Sequence, residues 1–460
     1  MSVKLLAKKY YGFILAIIIL FAFATRLYRL SVPERYIFDE VYHAITAKLI
    51  ARNDPRAYEW WNAPIEPDTA VDWLHPPVAK YTQAIGILMF GENAFGWRIS
   101  SVLFGTLVIY LIAQLSLQLT KDHFISILAA LLASLDGLLL AQSRIAMNDI
   151  HVTFAILLTL LVYLKSQPFL MASKRSKYLR WLLPTGFLAG ISIGTKWSGV
   201  FVLGPILVFE SISLLQLIVA KPKITDTFKR VTMLVVALLF VPAVAYLLSY
   251  SHMFLQRKDL QHFKELHSQI WWYQNNLTAT HPYQSKPLEW IANMKPVWFY
   301  VDYISQQQRA DIYAQGNTAL YWTGIAAISL FCIANVVKLS VASQVKKNTL
   351  QAILSTLQTP LIFTLTCYFA MWAVWLQSPR IMFFYHYTPA VPFVAILTAW
   401  FLVKISKGSR VLHKKTGEIL SIILVGLIVL NFIVFFPHWT AIAMPTDFIE
   451  KIYFFFQTWK

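Results

Sequence analysis

The stretch Tyr11-Gly-Phe-Ile-Leu-Ala-Ile-Ile-Ile-Leu-Phe-Ala-Phe-Ala-Thr-Arg-Leu-Tyr-Arg-Leu30 is almost entirely apolar until two arginines appear near its end. About twenty such residues form a helix long enough to cross a bilayer. Charged sequence follows the run, where a signal peptide would have a small-residue cleavage site. We therefore expect a first transmembrane helix here and no cleaved signal peptide.

Similar apolar runs recur along the chain. They lie near 97–119, 123–142, 149–165, 181–195, 197–219, 231–250, 319–339, 357–377, 381–404 and 418–437. Of the 460 residues, 57% are hydrophobic and only 13% are charged, which is more apolar surface than a soluble domain could bury. The sequence thus predicts an all-α integral membrane protein with about eleven transmembrane helices, in contact with membrane lipid.

The charge distribution predicts the orientation of these helices. A net charge of +18 would raise the question of nucleic acid in a soluble protein, but the basic residues here lie mainly in short loops. We expect no nucleic-acid partner. If the N-terminus is cytoplasmic, the positive-inside rule is satisfied throughout. The cytoplasmic basic segments are then Lys165 to Arg180, Lys221 to Arg230, Lys338 to Lys347 and Lys404 to Lys415.

Two long hydrophilic segments fall on the opposite side, and we call 31–96 the first outer segment and 251–318 the second. They divide the chain into an N-terminal transmembrane module (1–250), an outer loop (251–318), C-terminal helices (319–437) and an interfacial tail (438–460). Most acidic residues lie on this outer side. Binding and catalytic residues are concentrated on such loops, so we expect the functional site there.

The first outer segment carries the acidic pair Asp39-Glu40 within Pro33-Glu-Arg-Tyr-Ile-Phe-Asp-Glu-Val-Tyr-His43. Adjacent carboxylates near a bilayer are costly unless they are solvated or paired. A solvated loop is the simpler interpretation of the pair alone. The segment continues with Asp72-Trp-Leu-His75-Pro-Pro-Val-Ala-Lys80 and Gly91-Glu92-Asn-Ala-Phe-Gly-Trp-Arg98.

Strong charges also mark the outer ends of several helices. They are Arg26, Arg98, Arg144 with Asp149, Lys196 and Arg380. Any one of these cations could simply extend its head group towards water. Five from different helix ends, facing carboxylates on the same side, form an anion site at membrane depth. Such a site suits displacement of a lipid-linked phosphate, because cations stabilise the leaving phosphate while a carboxylate accepts the proton of an attacking hydroxyl.

In these motifs the chain resembles the protein O-mannosyltransferases of the membrane-embedded GT-C class. The matching segments are Phe38-Asp39-Glu40, His75-Pro76-Pro77 with Lys80, Arg98, Arg144 to Asp149, Lys196-Trp197 with Gly199, His281-Pro-Tyr with Ser285 and Glu289-Trp290, Gly316-Asn317, and Arg380 through Phe384-Tyr385-His386-Tyr387. They occur in the family's order and cover most of the chain.

The resemblance implies an inverting transferase that moves mannose from a polyprenyl (dolichyl-type) phosphate to Ser or Thr of translocating proteins. It implies Asp39 as the catalytic base, with Glu40 orienting groups or binding the acceptor. Implied donor-phosphate ligands are Arg98, Lys196 and Arg380, with Arg26 and Arg144 as further candidates. Implied site-shaping or substrate-binding residues are His75, Asp149, Glu92, His386 and Tyr387.

One departure from the family concerns size. Eukaryotic members carry a β-trefoil MIR domain in the second outer segment, and Ser251 to Thr318 is too short to hold one. The chain therefore resembles the compact prokaryotic form, which implies a plasma (inner) membrane location with the active site on the extracytoplasmic face. Some family members dimerise, so the resemblance is also compatible with a dimer.

Three questions stay open at this point. Asp39, Glu40, Asp72 and Asp149 offer oxygen ligands suited to Mg²⁺ or Mn²⁺, but spacing does not show whether they converge; we expect no obligatory tightly bound metal. A GT-C enzyme that glycosylates a lipid or glycan, such as an aminoarabinose transferase, is the nearest alternative. A transporter or flippase is another, although it predicts repeat symmetry and mid-membrane charges that the sequence does not show.

Overall fold

The computed structural model describes residues 3–171, 174–220, 223–344, 349–409 and 412–460. Every predicted apolar run lies on helix. In this described part, eight helices are long and apolar enough to cross a membrane: Ala94–Thr120, Asp149–Leu170, Trp197–Val219, Ile224–Ser249, Thr318–Val341, Pro360–Gln377, Phe384–Ile405 and Lys414–Trp439. Tyr11–Leu27 and His123–Ser134 are shorter apolar helices. The helical membrane fold is confirmed, and the count of about eleven helices stays a prediction.

Four of the spans combine α-helix with a short 3₁₀ or π segment. The 3₁₀ turns are Trp197–Val202, Ala373–Gln377 and Phe384–Ala390, and a π turn covers Val236–Phe240. The α-helical parts are Leu203–Val219, Ile224–Val235, Val241–Ser249, Pro360–Trp372 and Val391–Ile405. The three 3₁₀ turns lie beside Lys196 and on both sides of Arg380. Such turns often mark functional positions in a helix.

The remaining elements are mostly short. The α-helices are Val3–Lys9, Glu40–Ala51, Val78–Phe90, Gly137–Gln142, Arg175–Thr195, Ser251–Leu255, Leu260–Asn276, Pro287–Ile291, Thr349–Leu357 and Thr446–Phe448; Asp149–Met171, Thr318–Gln344 and Lys414–Thr440 extend slightly beyond their apolar windows. Pro55–Tyr58 and Gln457–Trp459 are 3₁₀ turns, and Ile449–Tyr453 is a π turn.

The helices differ in how much of their surface the protein itself covers. In the apolar 18-residue window of each helix, the protein buries 78% of Phe384–Ile405 and 67% of Asp149–Leu170, but only 17% of Lys414–Trp439. Helices that are apolar all round and largely covered are central, and those with exposed apolar faces border the lipid. The central helices are those whose outer ends carry Asp149 and the aromatic turn before Val391.

Helix Val78–Phe90 packs directly on Ala94–Thr120. A Cβ on Gly86 would lie 2.4 Å from the backbone carbonyl oxygen of Gly96, so only glycine permits this approach. Val78–Phe90 starts immediately after Pro76-Pro77, and Pro77 occupies its N-cap position. This packing fixes the first outer segment against the helix that carries Arg98.

A small antiparallel sheet in the order β1-β2-β3 lies in the second outer segment and the tail. Its strands are β1 (Val297–Tyr303), β2 (Gln308–Ala314) and β3 (Met444–Pro445). The register between β1 and β2 shifts between Trp298 and Tyr300, which makes Phe299 a bulged residue. The prediction of an all-α chain misses this sheet, although β1 is a run of aromatic and β-branched residues typical of a strand.

The tail after residue 437 is attached to the rest of the protein. Trp459 is only 3% exposed, and its Nε1 donates to the carbonyl of Asn293 at 2.7 Å. Tyr453 donates to the carbonyl of Val434 at 2.9 Å. An interfacial position of this tail stays a prediction. Of the basic residues assigned to the cytoplasmic side, Lys221, Lys346, Lys347 and Arg410 lie outside the described residues.

Candidate active site

The ion pair between Glu40 and Arg98 is fully buried where the first outer segment meets helix Ala94–Thr120. Glu40 is 0% exposed and Arg98 is 1% exposed. The carboxylate oxygens accept Nε and Nη2 of the guanidinium, both at 2.8 Å. The same oxygens accept the backbone N–H groups of Ile37 and Ala146, both at 3.0 Å. Glu40 therefore ties separate parts of the chain together at the first turn of its helix.

Arg98 commits its whole guanidinium to this anchor. Nη1 donates to the carbonyls of Leu30 and Pro33 at 3.0 and 2.8 Å, and Nη2 donates to the carbonyl of Arg35 at 2.9 Å. A guanidinium has five N–H donors, and the bonds to Glu40 and to these three carbonyls use all five. A donor-phosphate role for Arg98, as the sequence suggested, therefore has no free donor to support it.

Asp39 has the opposite environment, although it is the neighbouring residue. It occupies the N-cap position of Glu40–Ala51 without a side-chain cap bond, and among the described residues nothing is hydrogen-bonded to its carboxylate. Burial raises the pKa of Asp39 from 3.8 to about 6, opposed by His43 and Lys196 and reinforced by two nearby carboxylates. A free carboxylate with a pKa near neutrality has the properties of a general base.

Asp72 gathers three nitrogen atoms beside this position. Its Oδ2 lies 2.7 Å from both His43 Nδ1 and Lys80 Nζ, and its Oδ1 lies 2.9 Å from His75 Nδ1. Burial would raise the pKa of Asp72, but His75, Lys80 and His43 together hold it well below its usual 3.8. His75, predicted to shape the site, thus lies in a network that reaches towards Asp39 through His43.

The side chains of His43, Asp72 and His75 place potential metal-ligand atoms within 4.8 Å of one another. Imidazole and carboxylate are common ligands of Zn²⁺. However, the Lys80 ammonium is already in contact with the Asp72 carboxylate, so a divalent ion there would face a like charge. These residues fit a metal ion poorly, and independence of a metal stays a prediction.

Lys196 is an electrostatic neighbour of Asp39. Its Nζ donates to Asp149 Oδ1 at 2.7 Å and lies 5.5 Å from the centre of the Tyr385 ring. Tyr385 is within electrostatic range of Asp39, Asp149 and Arg380. The structure therefore brings two predicted cations, the predicted base and Asp149 around a single tyrosine.

Arg380 is the predicted cation with the least engaged head group. Its Nε makes one long bond to the carbonyl of Ile381, at 3.4 Å. Within the described part of the chain, no carboxylate lies within ion-pair distance of it. Burial lowers the pKa of Arg380 below its usual 12.5. A partly buried cation without a counter-charge is costly, and an anionic ligand would remove that cost.

Arg26 and Arg144 hold the end of the first transmembrane helix. Nη1 of Arg144 donates to the carbonyls of Arg26 and Tyr28 at 2.7 and 2.5 Å. Arg26 is 0% exposed, and its Nε donates to Ser143 Oγ at 3.1 Å. Carbonyls at a helix end lack partners within the helix, and arginine donors satisfy them here. Both residues are therefore better explained as helix anchors than as phosphate ligands.

The other predicted site-shaping residues lie farther out. Glu92 forms an ion pair with Arg52, whose side chain is half exposed, away from Asp39. His386 stacks on Trp290 with their planes 13° apart, and the Tyr387 hydroxyl lies 3.0 Å from that of Tyr368. His386 and Tyr387 thus support the turn that carries Tyr385.

Sequence reasoning assigned no role to His43, Lys80 or Tyr385, although each lies in a motif it had singled out. It also assigned no role to the aromatic residue Phe299. Phe299 on β1 lies 4.7 Å from Phe38 and 6.4 Å from Tyr385, measured between ring centres. These aromatic rings pack next to Phe38, the residue before Asp39. Phe299 is also the bulged residue of β1.

Two sequence models of one family together match nearly the whole chain. The model of dolichyl-phosphate-mannose-protein mannosyltransferases matches residues 16–256. The model of the C-terminal four-transmembrane region of protein O-mannosyltransferases matches residues 259–459. The chain belongs to the protein O-mannosyltransferase family. The resemblance found in the sequence motifs is thereby confirmed.

Individual O-mannosyltransferases agree with this assignment. The polyprenol-phosphate-mannose–protein mannosyltransferase of Corynebacterium glutamicum is 25% identical, over 97% of this chain and 93% of its own length. The Saccharomyces cerevisiae Pmt1-Pmt2 complex bound to the sugar donor superposes with a TM-score of 0.79 at 13% identity, covering 98% of this chain and 92% of its own. An aminoarabinose transferase of Pseudomonas aeruginosa is 35% identical, but over only 27% of this chain and 24% of its own.

The contrast between Glu40 and Asp39 in this O-mannosyltransferase predicts opposite effects of matched amide substitutions on stability. Glu40→Gln leaves the buried Arg98 charge uncompensated, which we expect to destabilise the fold by about 3–5 kcal/mol. Asp39→Asn removes a charge that makes no bond, so the thermal midpoint in detergent should be unchanged or raised. Thermal unfolding of both variants checks this.

The double variant Glu40→Gln/Arg98→Met serves as the control, because it removes both charges and should recover part of the lost stability. Equal midpoints for Glu40→Gln and the wild type would contradict the anchoring role of Glu40.

Proposed function

We propose that this chain transfers mannose from a polyprenyl phosphate to Ser or Thr hydroxyls of proteins, with inversion at the sugar carbon. The observation that carries this proposal is the carboxylate of Asp39, which has no hydrogen-bond partner among the described residues and lies near Lys196 and near Tyr385, a ring that also neighbours Arg380. A base beside an anion site matches a single displacement at a lipid-linked sugar phosphate.

In this mechanism Asp39 accepts the proton of the acceptor hydroxyl while the oxygen bonds to the anomeric carbon. The bond from that carbon to the phosphate oxygen breaks at the same time, and the polyprenyl phosphate leaves with the electron pair. Arg380 and Lys196 stabilise the negative charge on the leaving phosphate. Asp149 holds Lys196 in position through its 2.7 Å bond.

Glu40 and Arg98 act as positioning residues in this proposal, because they set the start of the helix that presents Asp39. His75 acts on the site through Asp72 and His43. Arg26 and Arg144 anchor the first transmembrane helix, and Glu92 takes no part in the chemistry. His386 and Tyr387 support Tyr385.

We further propose that the reaction takes place on the extracytoplasmic face of the plasma membrane. The acidic pair, the second outer segment and the turn at Arg380 meet at one end of the helix bundle, opposite the basic loops. A protein acceptor is supported by the two family models, whereas the aminoarabinose transferase of Pseudomonas aeruginosa aligns in sequence with only 27% of the chain.

A transfer assay tests the chemistry directly. Purified enzyme with a polyprenyl phosphate mannose and a Ser/Thr-rich peptide should yield mannosylated peptide by mass spectrometry, and EDTA should leave the rate unchanged. Asp39→Asn, which keeps the shape but cannot accept the proton, should lower the rate by at least roughly 10²-fold. A wild-type rate in Asp39→Asn would remove Asp39 from the base role, and restoration of an EDTA-treated enzyme by Mg²⁺ or Mn²⁺ would overturn metal independence.

The assignment of the phosphate site to Arg380 can be tested against a matched arginine. Arg380→Met removes a charge-assisted hydrogen bond worth about 1.5–3 kcal/mol, which predicts a roughly 10- to 150-fold lower kcat/KM for the donor. Its thermal midpoint should hardly change, since the guanidinium makes a single long bond.

Arg144→Met is the control, because its guanidinium satisfies the carbonyls of the first helix. It should lower the midpoint by several degrees while the folded enzyme keeps donor kcat/KM within about threefold of wild type. If Arg144→Met lowered donor kcat/KM and Arg380→Met lowered only the thermal midpoint, Arg144 would be the phosphate ligand and Arg380 the structural anchor.

A further inference from the structure

Strand β1 (Val297–Tyr303) is an edge strand with one side unpaired. The sheet order places β2 on its other side, and β3 reaches only Gln308 and Arg309 at the far edge of β2. Among the described residues, no backbone group of β1 is hydrogen-bonded to an element other than β2. Such an edge presents N–H and C=O groups ready to pair with another extended chain.

Strand β1 packs against the part of the first outer segment that carries the proposed base. Phe299 is in ring contact with Phe38, which precedes Asp39 in the chain. The Arg35 guanidinium lies 5.2 Å from the ring centre of Tyr300. The bulge at Phe299 turns this part of β1 towards the first outer segment. An added strand would run about 4.8 Å from β1.

The exposure of the strand changes along its length. Val297, at the start of the strand, is fully buried. Tyr303 and the following Ile304, at the hairpin tip, are 66% and 54% exposed. An extended chain that pairs with β1 would therefore pass from solvent at the tip into a buried part of the protein.

We propose that the free edge of β1 binds the acceptor polypeptide as an added β-strand, with the reactive Ser or Thr turned towards Asp39. This inference rests on the proposed function, which requires a protein acceptor. Hydrogen bonds to the edge engage only backbone groups, so they accept many sequences around the hydroxyl. Alternate side chains of the bound strand point to opposite faces, so the residues directly beside the reactive one point away from the base.

Acceptor peptides with a single backbone N-methyl group, placed at successive positions around one Ser, test this pairing. In an antiparallel or parallel added strand only alternate N–H groups face the edge. We expect kcat/KM for the peptide to fall at least tenfold at alternate positions and to stay within about twofold at those between. A loss that is uniform, absent or confined to the residues next to Ser would overturn the proposal.

The same experiment separates this inference from the function on which it rests. The unmethylated peptide reports whether the enzyme mannosylates protein acceptors. If that peptide is not mannosylated, the proposed function fails. If it is mannosylated but the methyl series shows no alternation, only the edge-binding proposal fails.

The variants Val301→Pro and Asp302→Pro provide a second test from the side of the enzyme. Successive N–H groups of β1 point to opposite edges, so only one of the two prolines removes a bond to β2. The other should keep the wild-type thermal midpoint and raise the peptide KM at least tenfold, with donor KM unchanged. Unchanged peptide kinetics in both variants, together with a loss of dimer in size-exclusion chromatography, would show that a second copy of the chain occupies the edge instead.

Discussion

The buried ion pair between Glu40 and Arg98 is the constraint on which the site depends. Removing two charges from water is expensive, and it is tolerated only when geometry and additional hydrogen bonds compensate. Here the carboxylate binds two backbone N–H groups and the guanidinium binds three carbonyls besides the pair itself. The pair thereby fixes the first outer segment, the helix start at Glu40 and the turn before Asp149 relative to one another.

The position of Asp39 is a geometric consequence of this anchor. Successive residues near a helix start point about 100° apart, so a carboxylate beside one that faces inward to Arg98 must face elsewhere. Asp39 turns towards His43 and Lys196, and no described residue forms a hydrogen bond to its carboxylate. Two identical charges at adjacent positions thus have different surroundings, and the proposed mechanism gives them different roles, one in holding the fold and one in reacting.

The membrane fold could be predicted from the sequence, because helix length and apolar content are set by the bilayer. The distinction among the helix-end cations could not. The same sequence pattern results from an arginine that satisfies carbonyls, such as Arg144, one that pairs with a carboxylate, such as Arg98, and one that pairs with no carboxylate among the described residues, such as Arg380. Only the positions of their partners, far away in the chain, separate them.

The strand composition of β1 was visible in the sequence, but its contact with the first outer segment and the network around Asp72 were not. β1 pairs with β2 across a short turn, but its contact with Phe38 joins residues that are more than two hundred positions apart. His43 lies on helix Glu40–Ala51 and Asp72 lies in the loop before Val78–Phe90, and no periodic signal in the sequence relates the two positions. Long-range contacts of this kind depend on tertiary packing, which local propensity does not encode.

The pH dependence of kcat/KM for the acceptor peptide tests the central claim most directly, because it reports the essential base of the free enzyme. Burial raises the pKa of Asp39 to about 6, and only the deprotonated form accepts the hydroxyl proton. The account predicts that kcat/KM is constant above pH 7 and falls tenfold per pH unit well below pH 6. The double variant Glu40→Gln/Arg98→Met should show the same fall at acidic pH. A profile that stays flat down to pH 5 would contradict Asp39 as the base.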